Sequence, residues 1–135
     1  MEKKLKKGYT TGVHTSFAFK SALQIFLATN QLSMSKTNKM DNDDLDITKG
    51  CEIIVYISDK KDDLTLNSLP HKPYILKNDI SILEIYAGKG VGVVTKDGLK
   101  PPKNYPAINP TPLKVMKEIF QKQTISYKKL FCSVS

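Results

Sequence analysis

Apolar residues near the start of the chain recur at the spacing of an α-helix. Between His14 and Thr29 the repeating positions are Phe19, Ala22, Leu23, Phe26 and Leu27. Such a stripe is typical of a helix that packs one face against a core. Thr10 and Thr11 come just before this stretch, and a threonine side chain can cap the first turn of a helix. The pattern therefore predicts a threonine-capped helix over residues 14–29 with its apolar face buried.

A second helical stripe lies towards the C-terminus, where Leu113, Met116 and Phe120 fall on one face. The prolines before it predict a stiff loop; they are Pro101, Pro102, Pro106, Pro110 and Pro112. Thr111 is expected to cap the helix and Pro112 to be its first residue. The lysines of this region are interpreted as the solvated face of the helix; they are Lys114, Lys117, Lys122, Lys128 and Lys129.

Three segments between these helices have the composition of β-strands. They are residues 51–58, 80–88 and 91–95, and the last ends at the turn signal Asp97-Gly98. Residues 30–44 have no period and predict a polar connection, whereas residues 64–79 predict irregular structure with short edge strands. The order of elements predicts an α+β fold, a mixed sheet with two flanking helices, in a single domain of residues 1–135.

Composition and charge restrict the classes of function. The chain has 135 residues, of which 40% are hydrophobic and 25% charged, as in ordinary globular domains. All 21 basic residues are lysine, which excludes bidentate recognition of phosphate or guanine by arginine. The net charge of +8 is divided as +6 in residues 1–40, −5 in residues 41–84 and +7 in residues 85–135. A lysine-rich nucleic-acid-binding module is an alternative function, against which the acidic middle third argues.

The cysteines and the N-terminus exclude further classes of site. Cys51 and Cys132 have only His14 and His71 to join them, too few ligands at unsuitable spacing for a zinc site. Two distant cysteines also form no disulfide framework. The lysine-rich N-terminus is not followed by the apolar run of a signal peptide or by the roughly 20 apolar residues of a membrane span. A soluble, cytoplasmic protein is expected.

A glycine-rich segment follows the second predicted strand. Its sequence is Gly88-Lys89-Gly90-Val91-Gly92, and the residues after it predict a strand. A dinucleotide-binding fingerprint has another glycine spacing and opens a helix, so that site is excluded. A glycine-kinked turn between strands is the simpler interpretation. Close approach of a ligand to the backbone is the alternative.

An acidic run lies between the polar connection and the first predicted strand, and consists of Asp41, Asp43, Asp44 and Asp46. A calcium loop of the EF-hand type is excluded, because Asp46 stands where glycine is required. A solvated loop is the simpler interpretation. The alternative is a carboxylate that orients a ligand or acts as a base.

Three blocks of sequence occur in an order that is known from one protein family. They are Gly8-Tyr9-Thr10-Thr11-Gly12, then Asp43 to Gly50, and then Gly88 to Leu99 followed by Ala107-Ile108-Asn109-Pro110-Thr111-Pro112. Together they resemble the N-terminal region of the CbiD family, the cobalt-precorrin-5B C(1)-methyltransferases of anaerobic cobalamin biosynthesis. The last block is the most specific of the three.

The chain departs from the family pattern at several positions. Val13 and His14 replace a small residue and a cysteine, Leu45 and Lys49 replace a proline and a histidine, and Leu113 replaces an arginine. The resemblance covers the first part of a longer protein and leaves out its glycine-rich C-terminal part. We therefore expect a truncated and divergent copy, and an inactive fragment of the methyltransferase is an alternative.

The resemblance implies an activity and its partners. The implied methyl donor is S-adenosylmethionine, and the implied acceptor is ring carbon 1 of cobalt-precorrin-5B, an anionic corrinoid that a lysine-rich surface would attract. The resemblance assigns candidate binding roles to Thr10, Thr11, Asp43, Asp46, Gly90, Gly92, Thr95 and Asn109. It assigns no catalytic residue, and the sequence predicts no metal ligand and no oligomeric state.

Overall fold

The computed structural model describes the backbone of residues 2–38, 52–98 and 101–135, and the side chains of residues 15–37, 52–98 and 101–135. The helices are α1 (Glu2–Thr29) and α2 (Pro110–Gln121). The strands are β1 (Ser33–Asn38), β2 (Glu52–Ser58), β3 (Tyr74–Lys77), β4 (Ile82–Ala87) and β5 (Lys129–Val134). A short 3-10 helix spans Lys61–Asp63. The acidic run at 41–46 lies outside the described residues.

The five strands form one mixed sheet in the order β1-β2-β5-β4-β3. Strand β5, the last along the chain, lies in the centre, antiparallel to β2 and parallel to β4. Helix α2 connects β4 to β5, because parallel neighbours need a crossover rather than a tight turn. The α+β class, with a mixed sheet and two helices, is confirmed.

Both helices pack on one face of the sheet. Alternate strand residues point to this face and form one core with the helices. The largest fully buried side chains include Phe19, Leu23, Phe26, Ile57, Leu83, Ile85, Met116 and Phe120. Burial of each contributes about 1.5–3 kcal/mol of transfer free energy. The apolar faces predicted for both helices are therefore confirmed, and we call the opposite side of the sheet the outer face.

The prediction for the start of α1 is wrong. The helix begins at Glu2, so Thr10 and Thr11 lie within it rather than at its cap. The residues before Gly8 are chiefly lysine, leucine and glutamate, which have high helix propensity and extend the helix towards the N-terminus. The helix ends where Asn30 adopts a φ of 59°, and the Asn30 N–H donates to the carbonyl of Phe26 at 2.7 Å.

Strand β1 corrects the predicted polar connection at residues 30–44. Its sequence has no apolar alternation, but it pairs antiparallel with β2 along its whole length. Ser33 is buried against α1, and its hydroxyl donates to the carbonyl of Ala22 at 2.6 Å. Residues 33–38 are therefore a strand because they pair with β2, which is distant in sequence. The strand lies at the edge of the sheet, where polar residues are tolerated.

The prediction of a strand at residues 91–95 is wrong. Val93 and Pro106 form only an isolated bridge, flanked by hydrogen bonds between Val94 and the backbone of Asn104 and Tyr105. The opposing segment contains prolines, which have no N–H to donate and so cannot continue a ladder. The two sequence blocks are still held side by side.

Two boundaries near the C-terminus also differ from prediction. Helix α2 begins at Pro110 after the cap residue Asn109, so Thr111 and Pro112 lie inside its first turn. Lys129 belongs to β5 and Lys128 to the bend just before it, so neither lies on a helix face. Within the part of the chain that the structure describes, no helix is both long and apolar enough to cross a membrane.

Candidate functional site

A cavity of about 370 Å³ opens on the outer face, where β5 ends beside the start of β2. Its lining consists of Ile54, Tyr56, Asp63, Thr65, Lys89 and Ser135. We call it the Lys89 cavity. It lies next to the carboxyl ends of the parallel strands β4 and β5, an edge at which α/β proteins often bind ligands.

The glycine-rich turn that carries Lys89 is held by the segment after β2. The Asn67 side chain donates to the carbonyl of Val91 at 2.9 Å, and the Asn67 N–H donates to the carbonyl of Ala87 at 2.8 Å. Leu66 forms a bridge with Gly88. These contacts fix the position of the turn relative to the cavity.

The glycines of this turn have different roles. A Cβ at Gly88 would collide with the Ser135 hydroxyl and lie 3.1 Å from the Val134 carbonyl oxygen, so the close packing at this position favours glycine. A Cβ at Gly90 would lie 3.0 Å from the Ser135 carbonyl carbon. At Gly92 a Cβ would meet no atom within 4 Å. The interpretation as a structural turn therefore explains the first two glycines and not the third.

The Lys89 cavity brings together groups of opposite charge. Asp63 accepts a hydrogen bond from the Ser58 hydroxyl at 2.5 Å, which orients its carboxylate. Lys89 is exposed and Tyr56 is half-buried on β2. A cationic amine, an anionic carboxylate and an aromatic ring thus border one space.

An ion pair and its hydrogen bonds lie further along the outer face. Tyr86 donates to Glu84 at 2.6 Å, and the Lys129 amine lies 3.1 Å from the other Glu84 oxygen. Burial raises the pKa of Glu84, but the hydrogen bonds from Tyr86 and Lys129 and the positive charge of Lys129 outweigh it and lower that pKa. Burial and the bond to Glu84 raise the pKa of Tyr86. The Lys61 amine lies 4.6 Å from the centre of the Tyr86 ring.

His71 joins the segment before β3 to β4. Its Nε2 accepts from the Ala87 N–H at 3.0 Å, while its Nδ1 lies 2.9 Å from the Leu69 carbonyl. Both ring nitrogens therefore face backbone groups, which fixes the orientation of the ring. His71 is thus a structural residue.

A groove of about 410 Å³ lies at the β3 edge of the sheet, between β3 and α2. Its walls are mostly apolar and are formed by Tyr74, Ile75, Leu76, Pro101, Pro102, Ile108, Pro110 and Leu113, with Lys114 and Lys117 at its rim. We call it the β3–α2 groove. The Tyr74 hydroxyl donates to the carbonyl of Pro106 at 2.9 Å, which connects β3 to the proline-rich loop.

The structure places half of the candidate site residues inferred from the resemblance. Gly90, Gly92, Thr95 and Asn109 are exposed and lie on the turn, on the segment after it and at the cap of α2. The Gly92 carbonyl accepts from the Ala107 N–H at 2.9 Å, which brings the two sequence blocks together. Nothing is described for the side chains of Thr10 and Thr11, and Asp43 and Asp46 lie outside the described residues.

The candidate residues that sequence reasoning missed are those of the Lys89 cavity. Tyr56, Asp63 and Thr65 carry no motif, and only the fold of the outer face brings them to Lys89. The one available signal was the lysine between the first two glycines of the turn. Among the residues with described side chains, no group of three histidine, cysteine, aspartate or glutamate residues could hold a metal ion.

The sequence is similar to known proteins over most of its length. A sequence model of the CbiD family matches residues 28–135. The cobalt-precorrin-5B C(1)-methyltransferase of Alkaliphilus metalliredigens (strain QYMF) is 34% identical over 123 residues, covering 84% of this chain and 32% of that protein. The protein of the same name from Clostridioides difficile (strain 630) is 32% identical over 155 residues, covering 89% and 38%. That of Methanosarcina acetivorans is 30% identical over 139 residues, covering 87% and 35%.

The chain spans about a third of the length of these relatives. The matched residues 28–135 contain the second and third sequence blocks and not the first, with Thr10 and Thr11. No solved structure is significantly similar to the chain.

Proposed function

Because the chain belongs to the CbiD family, we propose that it supplies the methyl-donor site of a cobalt-precorrin-5B C(1)-methyltransferase. The donor is S-adenosylmethionine and the acceptor is ring carbon 1 of the corrin precursor. The reaction forms a bond between the methyl carbon and ring carbon 1 and breaks the bond between that methyl carbon and sulfur. S-adenosylhomocysteine leaves as the product.

The observation that carries this proposal is the pairing of charges in the Lys89 cavity. The amino-acid end of S-adenosylmethionine has a carboxylate and an ammonium group, which Lys89 and Asp63 match. The Tyr56 ring offers a surface on which the adenine can stack. The volume of about 370 Å³ is within the range of roughly 300–1,000 Å³ for small-molecule sites.

In-line methyl transfer needs little covalent help from a protein, so position and exclusion of water determine its rate. In this chain, the hydrogen bond from Ser58 orients Asp63, and the contacts of Asn67 fix the turn that carries Lys89. The Lys89 cavity has room for the donor but not for the corrin macrocycle. The acceptor therefore approaches the cavity from its open side.

Calorimetric titration of the 135-residue chain with S-adenosylmethionine tests the proposal. Lys89→Ala and Asp63→Asn should each weaken binding about tenfold or more, since each loses a charge-assisted contact. Lys96→Ala, which removes an exposed lysine seven positions along the chain, is the matched control and should bind like the unmodified chain. Undiminished binding by both cavity variants, or no binding by the folded chain, would refute the proposal.

Gly92→Ala tests the one glycine that packing does not explain. Its Cβ would meet no neighbouring atom, so the thermal midpoint of unfolding should stay unchanged. If the bound donor or acceptor approaches this backbone, the same variant should lower affinity or methyl transfer. Unchanged stability together with unchanged binding and turnover would remove Gly92 from the site.

A further inference from the structure

Strand β3 leaves one edge of the sheet open. It pairs with β4 on one side, and no strand of the described residues pairs with its other edge. Alternate residues of such an edge direct N–H and C=O groups away from the sheet, where an extended segment can bind them. With only the residues of Tyr74–Lys77 in the strand, the added segment would be short.

The β3–α2 groove runs beside this open edge. Its walls are mostly apolar, and Pro102 of the loop and Leu113 of α2 both keep surface open to solvent. Pro101 and Pro102 form the opposite wall, and proline rings are stiff and lose little entropy on binding. The groove thus provides room for the side chains of an added strand.

The charges at the rim determine the chemistry of the occupant. Lys114 and Lys117 lie on the exposed side of α2, one turn apart, and the first turn of α2 has no acidic residue. The N-terminus of α2 at Pro110, also part of the groove, adds the positive end of the helix dipole. An acidic segment is therefore favoured over a neutral or basic one.

The length of the relatives indicates where that segment comes from. This chain spans about a third of them, so most of each relative lies outside the matched part and can supply such a segment. We propose that the β3–α2 groove receives an extended, acidic segment from the part of a CbiD protein that this chain does not span, and that this segment pairs with the open edge of β3. The proposal rests on family membership and is independent of the methyl-donor site.

Overlapping synthetic peptides that cover the unmatched part of the Clostridioides difficile relative provide the probe. At least one peptide that combines apolar and acidic residues should bind the 135-residue chain. Pro102→Glu and Lys117→Glu should each weaken that binding about tenfold or more, because they place negative charge in the groove. Backbone amide signals of residues 74–77 should shift on binding in nuclear magnetic resonance spectra.

Ile25→Glu is the matched control, since Ile25 is 44% exposed on α1 and lies outside the groove. It should bind the peptide like the unmodified chain, and all variants should keep their thermal midpoints. The proposal is overturned if no peptide binds, if the groove variants bind undiminished, or if the open edge instead pairs two copies of this chain in light scattering. Lys117→Glu should bind S-adenosylmethionine like the unmodified chain, so failure of the groove proposal can be told apart from failure of the proposed function.

Discussion

On the outer face, the stability of the sheet depends on the charge of the Glu84 carboxylate. Glu84 joins Tyr86 of its own strand to Lys129 of the central strand β5. Its pKa in the folded chain is lowered, despite burial that raises it, by hydrogen bonds from Tyr86 and Lys129. The folded state therefore binds the Glu84 proton more weakly than the unfolded state does.

This difference predicts the acid dependence of unfolding. The contribution of Glu84 is present above the pKa of the unfolded chain and is lost as pH falls through the lower pKa of the folded chain. The free energy of unfolding, measured by urea titration between about pH 6 and pH 3, should fall less in Glu84→Gln than in the unmodified chain. Lys129 is 53% exposed, so solvent screening limits the difference to about 1 kcal/mol. Glu118→Gln, at an exposed position on α2, is the control and should follow the unmodified chain.

Some features of the glycine-rich turn could be predicted from the sequence and others could not. A turn after a strand was predictable, because three glycines at alternate positions are unsuited to a regular element. The reason for Gly88 and Gly90 was not predictable, since Ser135 approaches them only after β5 inserts between β2 and β4. The partners of Lys89 were hidden for the same reason.

At the scale of elements, α1 depends on its aromatic side chains. Phe26 is fully buried and its ring centre lies 5.1 Å from that of Tyr127, the residue whose hydroxyl donates to Asn30 at the end of the helix. Phe26→Ala should lower the free energy of unfolding by about 3–5 kcal/mol, because the cavity would be enclosed by helix and sheet.

Phe17→Ala is the matched control on the same helix. Phe17 is 62% exposed, so its removal should change the free energy of unfolding by no more than about 0.5 kcal/mol. Urea denaturation of the two variants in parallel measures the difference. A small effect at Phe26 would contradict the position of α1 on the sheet.

The elements that sequence reasoning identified differ from the missed strand β1 in one physical respect. The central strand β5 was missed as well, although its apolar residues Leu130, Cys132 and Val134 alternate as in a strand. Both helices and the strands β2 and β4 have local apolar patterns, which are legible from the sequence. Strand β1 is polar, and its hydrogen bonds to β2 are what make it a strand. The predicted strand at 91–95 has suitable side chains, but Pro106 opposite it cannot donate to a ladder.

At the scale of the whole molecule, the fold mixes the charged thirds of the chain. Along the sequence the three parts carry net charges of +6, −5 and +7. In the sheet, β5 from the basic last part lies between β2 from the acidic middle part and β4, which begins in that middle part. The ion pair of Lys129 with Glu84 is one result of this arrangement. The lysines described in the structure nevertheless remain exposed, so a polyanion still meets positive charge at the surface.

This surface predicts how the chain meets the proposed corrinoid acceptor. Cobyrinic acid, whose peripheral side chains are free carboxylates, should bind weakly, because exposed lysines attract its charge without enclosing the ring. Its association constant should fall about tenfold or more between roughly 50 mM and 500 mM sodium chloride, since salt screens charges beyond a few ångströms. Cobinamide, in which the carboxylates are amides, is the matched control and should show little binding at either salt concentration. Absorbance titrations in which both corrinoids bind equally, or in which salt has no effect on cobyrinic acid, would show that the lysine excess does not attract the acceptor.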